Sequence, residues 1–398
     1  MSLLLKNCNI INPDSSIFAD ILIEDGKIKA IGSLEKKADE IIDINNKLVM
    51  PGFIDLHAHF RDPGFTHKED LYTGSLAALA GGFTSVNLMA NTSPVVDNRE
   101  VYEQVLEKAE KTDLINIYQC MAVTKGMQGQ EPIDFDNIPD DLHYFSEDGK
   151  GLTNSRLAYE VFKNVEKTGK GIMIHAEDHN LTDISNRYAE DLETIRDCYL
   201  SKITGAGVHF CHVSTIDSLR AIKNAKDENL RVTCEVTPHH IYMKDDDYKV
   251  NPSIRTEEDR KYIIEMIKEG VVDAIATDHA PHTPEDKQKG APGMIGLETA
   301  FNIVYKVLKE ENNISINKIV ELMSTNPAKI MNLNKGYLYP GFDADIVVVD
   351  EDKEITFDKF NSKSSNSPFL GQKFKSTVEL TIVAGKIKFI NGGLNDNR

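Results

Sequence analysis

The chain has 398 residues, 40% of them hydrophobic, and a formal charge of −18, which suits one large globular core with a small appendage. That charge, without any cluster of Lys or Arg, excludes nucleic acid and anionic membranes as partners, although a few local cations or a bound divalent ion can still hold an anionic substrate. Five cysteines without C-x-x-C spacing, no basic leader and no apolar run of 18 residues predict a soluble cytoplasmic protein with buried thiols.

In chain order, SLLLKNCNII, DILIEDGKIKAIG and EIIDINNKLVM alternate apolar with polar residues, and Asp25-Gly26 signals a hairpin. DADIVVVDED and STVELTIVAGKIKFING repeat the pattern near the other end. Neither end can build a core alone, so residues 1–50 and 336–398 are expected to pack together as one small β-sandwich domain beside a middle domain, 51–335. That middle stretch holds eight apolar strand candidates, at 53–59, 84–91, 115–123, 142–148, 171–178, 207–214, 231–239 and 272–282. Between them, segments such as EDLYTGSLAALAGG, NSRLAYEVFKNVEKTG and TIDSLRAIKNAKDEN carry helical spacing and often end in Gly or Asn. The alternation predicts an α/β fold, a (β/α)8 TIM-type barrel, whose functional residues sit where the strands end.

The last polar residues of those strands are His57 and His59 from the first, Asp148 from the fourth, His175 from the fifth, His212 from the sixth and Asp278 from the eighth. Alternation places His57 and His59 on one face. Imidazole nitrogen and carboxylate oxygen are the donors a zinc-like ion takes. Six exceed one tetrahedral site, so their convergence would fit two metals bridged by a shared carboxylate and a hydroxide. A lone strand-end His is ordinarily a hydrogen-bonded core residue; six donor groups at the same strand ends favour a metal centre. His67, His143, His179, His209, His239, His240 and His279 lack the full pattern and are expected to be structural or supporting.

The run GFIDLHAHFRDPGFTHKEDLYTGSLAALAGGFTSVNLMANTSPVVDN, followed in order by FSEDG, IHAED, CHVST, NPSIR, ATDHAPH and GMIGLETA, resembles the dihydroorotases of the amidohydrolase superfamily, in their long bacterial form, type I. The likeness extends over essentially the whole chain, including PGFDADIVVVD and TIVAGKI. It implies His57, His59 and Asp278 on one metal, His175 and His212 on the second and Asp148 as the bridge, with zinc as cofactor at two ions per subunit. Relatives such as hydantoinases and allantoinases use a carbamylated lysine as the bridge. Here Asp148 occupies that position, and Lys150 has moved past the strand end into solvent.

The reaction so implied is the reversible cyclisation of N-carbamoyl-L-aspartate to dihydroorotate in pyrimidine biosynthesis, with a metal-bridged hydroxide as nucleophile and Asp278 as acid and base. Arg61 is expected on the free carboxylate of the substrate together with Asn91 and His282, and Asn251 and the backbone at Pro292-Gly293 on the ring amides. Plainer roles stand beside these: Arg61 can pair with Asp62 or Asp70, Asn91 can cap a helix, and Asn251 can start a turn before Pro252. The loop 283–293 reads equally as a lid or as passive surface. MANT carries Ala90 and NPSIR carries Ser253 where proline is usual, and APGMIG is one residue short, which bears on loop geometry more than on chemistry.

Two competitors remain: a cyclic amidohydrolase of allantoinase or hydantoinase type, and a noncatalytic barrel kept as a subunit. Arg61, Asn91 and Asp148 argue against the first, and the intact set of six donors argues against the second. A homodimer and an association with aspartate transcarbamoylase are both compatible with the resemblance.

Overall fold

The two chain ends meet in one sheet because neither has enough strands to cover its own apolar face. The computed structural model describes residues 2–35, 37–391 and 393–394. From the N-terminus come β1 (Ser2–Ile11), β2 (Ser16–Glu24), β3 (Lys27–Gly32), β4 (Glu40–Asp43) and β5 (Leu48–Pro51). Eight strands of the middle follow: β6 (Phe53–Ala58), β7 (Phe83–Leu88), β8 (Asn116–Gln119), β9 (Tyr144–Ser146), β10 (Gly171–Ile174), β11 (Gly207–Phe210), β12 (Val232–Val236) and β13 (Ala274–Ile275). The C-terminal part adds β14 (Ile346–Thr356), β15 (Lys373–Val383), β16 (Lys386–Ile390) and β17 (Gly393–Leu394).

β5 joins the two ends, lying parallel to β1 on one side and antiparallel to β14 on the other in a nine-stranded mixed sheet. β1 branches to β2, β4 and β5, which lets the sheet enclose its own core of Leu5, Ile10, Ile21, Ile23, Ile346 and Ile382. The expected hairpin at Asp25-Gly26 has positive φ at both residues, 51° and 74°, and Ala384-Gly385 repeats that geometry at 47° and 74°. These two turns touch. A Cβ on Gly385 would lie 2.8 Å from Ile23 Cγ2 and 3.2 Å from Gly26 Cα, so the contact needs glycine.

All eight middle strands run parallel to their neighbours, in an arc β6-β7-β8 and an arc β13-β12-β11-β10-β9. Single bridges close the ring, Ala58 to His279 at one seam and Met121 to Phe145 at the other. Asp55 reinforces the first seam, accepting from the Thr277 amide at 2.9 Å, the Thr277 hydroxyl at 2.5 Å and the His57 amide at 3.2 Å. Leu56, Cys120, Met173, Cys211, Ala274 and Ala276 fill the interior, so the barrel is a packed core. All five cysteines are buried and unpaired.

Helices cover the outside, six of the longer ones started by a short polar side chain that accepts from the first turn: Asp70, Asn98, Asn154, Ser185, Thr215 and Thr256. Three of them, Ser155–Thr168, Asn186–Thr204 and Glu257–Glu269, end on a glycine in the left-handed region, as the sequence pattern predicts. One crossover departs from the alternation. Between β8 and β9 the chain forms only a short turn at Lys125–Met127, because its run of Gly, Pro and Asp cannot sustain a helix.

Asp345 fastens the barrel to the flanking sheet. Its carboxylate takes Lys335 Nζ at 2.6 Å, Asn116 Nδ2 on β8 at 3.0 Å and the Ala384 amide at 2.7 Å. Both charges are buried, so Asp345→Ala leaves Lys335 without its closest partner. We expect the substitution to cost about 3–5 kcal/mol in urea unfolding at pH 7, with Asp345→Asn costing less because it still accepts from Ala384.

Candidate metal centre and active site

The strands deliver their last residues to one rim. His57 lies in β6 and His59 just beyond it; Asp148, His175, His212 and Asp278 follow the ends of β9, β10, β11 and β13. Three rim residues leave their strands through the left-handed region, Arg61 at φ 58°, His212 at 35° and Asp278 at 47°. Side chains other than glycine avoid that region, and its use here stops the ladder and re-aims each group.

Asp148 is the centre of the cluster. Its Oδ1 lies 3.3 Å from His57 Nε2, 3.6 Å from His175 Nδ1 and 3.6 Å from His212 Nε2, while Oδ2 lies 3.4 Å from His59 Nε2. Asp278 Oδ1 stands 3.2 Å from His59 Nε2 and 3.7 Å from His57 Nε2. His175 Nδ1 and His212 Nε2 face each other at 2.8 Å. All six residues are buried. The neighbouring acid of FSEDG, Glu147, turns away and accepts from the Val123 and Thr124 amides at 3.1 and 3.2 Å.

Three of the four imidazoles are held from behind. Glu235 Oε1 takes His57 Nδ1 at 3.1 Å, Asn91 Oδ1 takes His59 Nδ1 at 2.9 Å, and Glu177 Oε2 takes His175 Nε2 at 3.1 Å. An acceptor behind one ring nitrogen fixes the proton there and turns the other lone pair inward. Burial works against charge on Glu235, yet His209 and His57 outweigh it and hold the carboxyl down to about 2. Likewise burial opposes ionisation of Asp148, and the imidazoles around it hold it well below the usual carboxylate range.

This arrangement fits a cation. His57 Nε2 is fully buried and has no hydrogen-bond partner among the described residues, although two carboxylates lie within 3.7 Å. Inward lone pairs beside carboxylate oxygens repel unless positive charge sits between them. His57, His59 and Asp278 form one group with donor atoms close enough for a shared ion, and His57, Asp148 and His212 form another.

Comparison with known proteins decides the family. Residues 48–388 match the model of the amidohydrolase family. The chain belongs to the amidohydrolase family. Within it, the chain is 47% identical over 396 residues to a dihydroorotase of Clostridium botulinum (strain Eklund 17B / Type B), covering 98% of this chain and 100% of that protein. It is 39% identical over 419 residues to a dihydroorotase of Fusobacterium nucleatum, covering 98% and 99%. Among solved structures, L-hydantoinase from Arthrobacter aurescens superimposes with a TM-score of 0.90 at 24% identity, covering 99% of this chain and 97% of that one. D-hydantoinase from Thermus sp. gives 0.87 at 25%, covering 99% and 96%. Both share the amidohydrolase barrel, and membership with this donor set implies a metal cofactor.

The remaining predicted residues of this amidohydrolase gather on the same rim. Arg61 donates from Nε to the Pro281 carbonyl at 3.3 Å, and its Nη2 lies 3.4 Å from His282 Nε2. Neither carboxylate considered for it is its partner, since Asp62 pairs with Lys108 at 2.5 Å and Asp70 with Lys363. Burial together with Arg61 pushes His282 down to about 4, which leaves it neutral at pH 7. Asn91 caps no helix, because its amide spans His59 and Asp148. Asn251 Nδ2 lies 3.1 Å from Glu177 Oε2 and 3.3 Å from His175 Nε2. At Pro292-Gly293 the Gly293 amide and carbonyl already bond to Lys249, Lys287 and Asn366. The 283–293 loop contains a short helix, Pro284–Gln288, anchored by Lys68 on Asp286 at 3.1 Å. Lys150 is exposed, as expected.

Glu235, Glu177 and the segment 361–366 carry structural weight that the sequence reading missed. Glu235 is the lone acid within an apolar strand, and Glu177 stands two residues beyond His175; both were signals. Asn366 accepts from the His282 amide at 3.1 Å and donates to the Ala280 and Gly293 carbonyls at 3.0 and 3.2 Å. Lys363 and Ser364 bond to Thr66 and Lys68 on the loop after β6. No local pattern marks these residues, since their partners lie far away in sequence.

If Asp148 bridges, Asp148→Ala loses about one metal equivalent or more, counted by elemental analysis of protein purified without chelators. Full retention would place the bridge elsewhere.

Proposed function

We propose that the chain catalyses the dihydroorotase reaction, the reversible closure of N-carbamoyl-L-aspartate to dihydroorotate. The observation that carries this reading is Arg61, a guanidinium beside the metal donors with no carboxylate partner among the described residues. An unpaired, partly buried cation is costly unless a ligand supplies the anion, and both forms of this substrate bear a free carboxylate. Dihydroorotases at 36–47% identity over nearly the full chain support the same reading.

Two zinc ions per subunit would suit these donors: His57, His59 and Asp278 would hold one, His175 and His212 the other, and Asp148 would serve both. A divalent ion in such a donor set polarises an amide carbonyl and makes water nucleophilic at neutral pH. The chain's own groups do the rest. Arg61 forms a bidentate pair with the substrate carboxylate, and neutral His282 beside it offers a further donor. The Asn251 amide faces the ring amides. Asp278 takes the proton of the attacking water and returns it to the departing ring nitrogen; in ring closure it acts in reverse. Burial of the cluster keeps bulk water from competing for these bonds.

Work in the cytoplasm, a homodimer and association with an aspartate transcarbamoylase complete the proposal. No helix among the described residues is long and apolar enough to cross a membrane.

The test is turnover of dihydroorotate, hydantoin and allantoin by the purified protein. We expect dihydroorotate alone to be a good substrate, and turnover restricted to hydantoin would overturn the reading. Arg61→Ala is expected to lower kcat/KM for dihydroorotate by about 10²–10³-fold, chiefly through KM; an unchanged KM would remove Arg61 from the carboxylate. Asp278→Ala should abolish turnover while the far-UV circular dichroism stays that of the parent.

A further inference from the structure

Asp278 has a left-handed backbone, φ 47°, and the residues on both sides of it are tied down. On one side Asp55 grips Thr277 through its amide and its hydroxyl. On the other, every polar group of His279 is engaged. Its amide donates to Thr277 Oγ1 at 3.0 Å, and its carbonyl accepts from the His59 amide at 2.9 Å. Its Nδ1 accepts from the Gly296 and Leu297 amides at 3.2 and 3.5 Å, and its Nε2 lies 3.4 Å from Glu69 Oε2.

Two amides on Nδ1 fix the tautomer, so the ring proton sits on Nε2 and faces Glu69. Glu69 is itself fully buried, just before helix Leu71–Ala80. It also accepts from the Thr73 and Ser362 hydroxyls and from the Lys363 amide at 3.1 Å, while the Lys363 ammonium goes to Thr66 and Asp70. Burial opposes its charge, but His279, Ser362 and Thr73 outweigh it and hold the carboxyl below its ordinary value. Burying a carboxylate adds little net stability, whereas it fixes a ring direction that an apolar side chain could not.

We propose that Glu69 and His279 are positioning residues for Asp278: the carboxylate locks the imidazole, and the locked imidazole keeps the preceding residue in the backbone that aims its side chain at His57 and His59. Aspartate tolerates the left-handed region better than most residues, yet it stays there only while its neighbours are over-determined. This pairing rests on the proposed role of Asp278 as acid and base.

Glu69→Gln tests the lock at constant size. The two carboxylate oxygens face separate N–H groups, one of Lys363 and one of His279, so a carboxamide must turn its NH2 on one of them. His279 cannot answer by moving its proton while Gly296 and Leu297 hold Nδ1. We expect Glu69→Gln to lower kcat about 10–100-fold with KM within about 3-fold, the signature of a misaimed group rather than a lost substrate contact. His279→Asn keeps an acceptor at the Nδ1 position and loses the donor to Glu69, so it should fall as far. His279→Gln keeps a donor toward Glu69 and should fall less. Glu69→Gln and His279→Asn together should be no worse than either alone. Asp345→Asn, beside the start of β8, is the control for lost stability and should leave kcat within about 2-fold.

The kinetics are read on whichever cyclic amide the wild-type chain opens, so a failed dihydroorotate assignment is not mistaken for a failed pair. A second measurement needs no turnover. In imidazole nitrogen NMR of the full chain as purified, the His279 ring, assigned by its loss in His279→Gln, should carry its proton on Nε2, and Glu69→Gln should shift that resonance. Should His279→Asn not fold, Glu69→Gln and the wild-type tautomer decide. An unchanged kcat in Glu69→Gln, a loss no greater than that of Asp345→Asn, additive losses in the double variant, or a smaller fall for His279→Asn than for His279→Gln overturns the proposal. So does a proton on Nδ1, or a wild-type chain that opens no cyclic amide.

Discussion

Everything at the barrel rim answers to one constraint: buried, electron-rich atoms from five strand ends must point at the same few ångströms. Asp148 stands within 3.6 Å of four imidazole nitrogens, and Asp278 stands beside two of them. Unbound donors repel one another, so the protein must hold them against that repulsion until positive charge arrives. Glu235, Asn91 and Glu177 do the holding, each fixing one ring from behind. Glu235 is itself tied to His209, which bonds in turn to Thr233 on the neighbouring strand. The centre is therefore built into the barrel wall as well as at its rim.

The flanking sheet takes part in this support. Segment 361–366 leaves β14 and returns to β15 by way of the rim, fastening the loop after β6 and the loop after β13 to one another. Through Asn366 it fixes the backbone of His282, and through Lys363 and Ser364 it fixes the turn beyond Arg61. The rim around Arg61 and His282 is thus made from the loops after the first and last barrel strands and a strap from the appended sheet. This gives the shared sheet of the two chain ends a functional reason beyond filling its own core.

How much of this was legible in the sequence follows from the range of each interaction. The eight strands declared themselves as apolar runs, and the six donors as the polar residues that end them, because both patterns are local. The missing crossover helix went unread although its cause is local too, the Gly, Pro and Asp between Lys125 and Asp141. What stayed hidden depends on distant partners. The left-handed backbone of Arg61, His212 and Asp278 is imposed by surrounding structure, since Asp and His tolerate that region better than most residues but do not call for it. Neither could the partner of Glu235 or the span of Asn366 be read from neighbours in the chain. Asn91 shows the middle case: its place near the site was legible, while its bonds to His59 and Asp148 were not.

The helix Asn186–Thr204 joins these themes, because its buried acids support the loops that carry the donors. Glu190 accepts from the Ser214 and Thr215 amides at 2.8 and 3.1 Å and pairs with Arg255 at 3.0 Å, fixing the loop that carries His212. Glu193 accepts from the Leu152 amide at 2.8 Å, near the turn that follows Asp148. With these acids required on the inner side, the helical repeat leaves positions 188, 192, 195, 199 and 203 facing outward. The inner side combines these acids with the buried Ala189, Cys198 and Leu200, so the phase of the helix is fixed by polar bonds to the loops that carry His212 and Asp148 as much as by apolar packing.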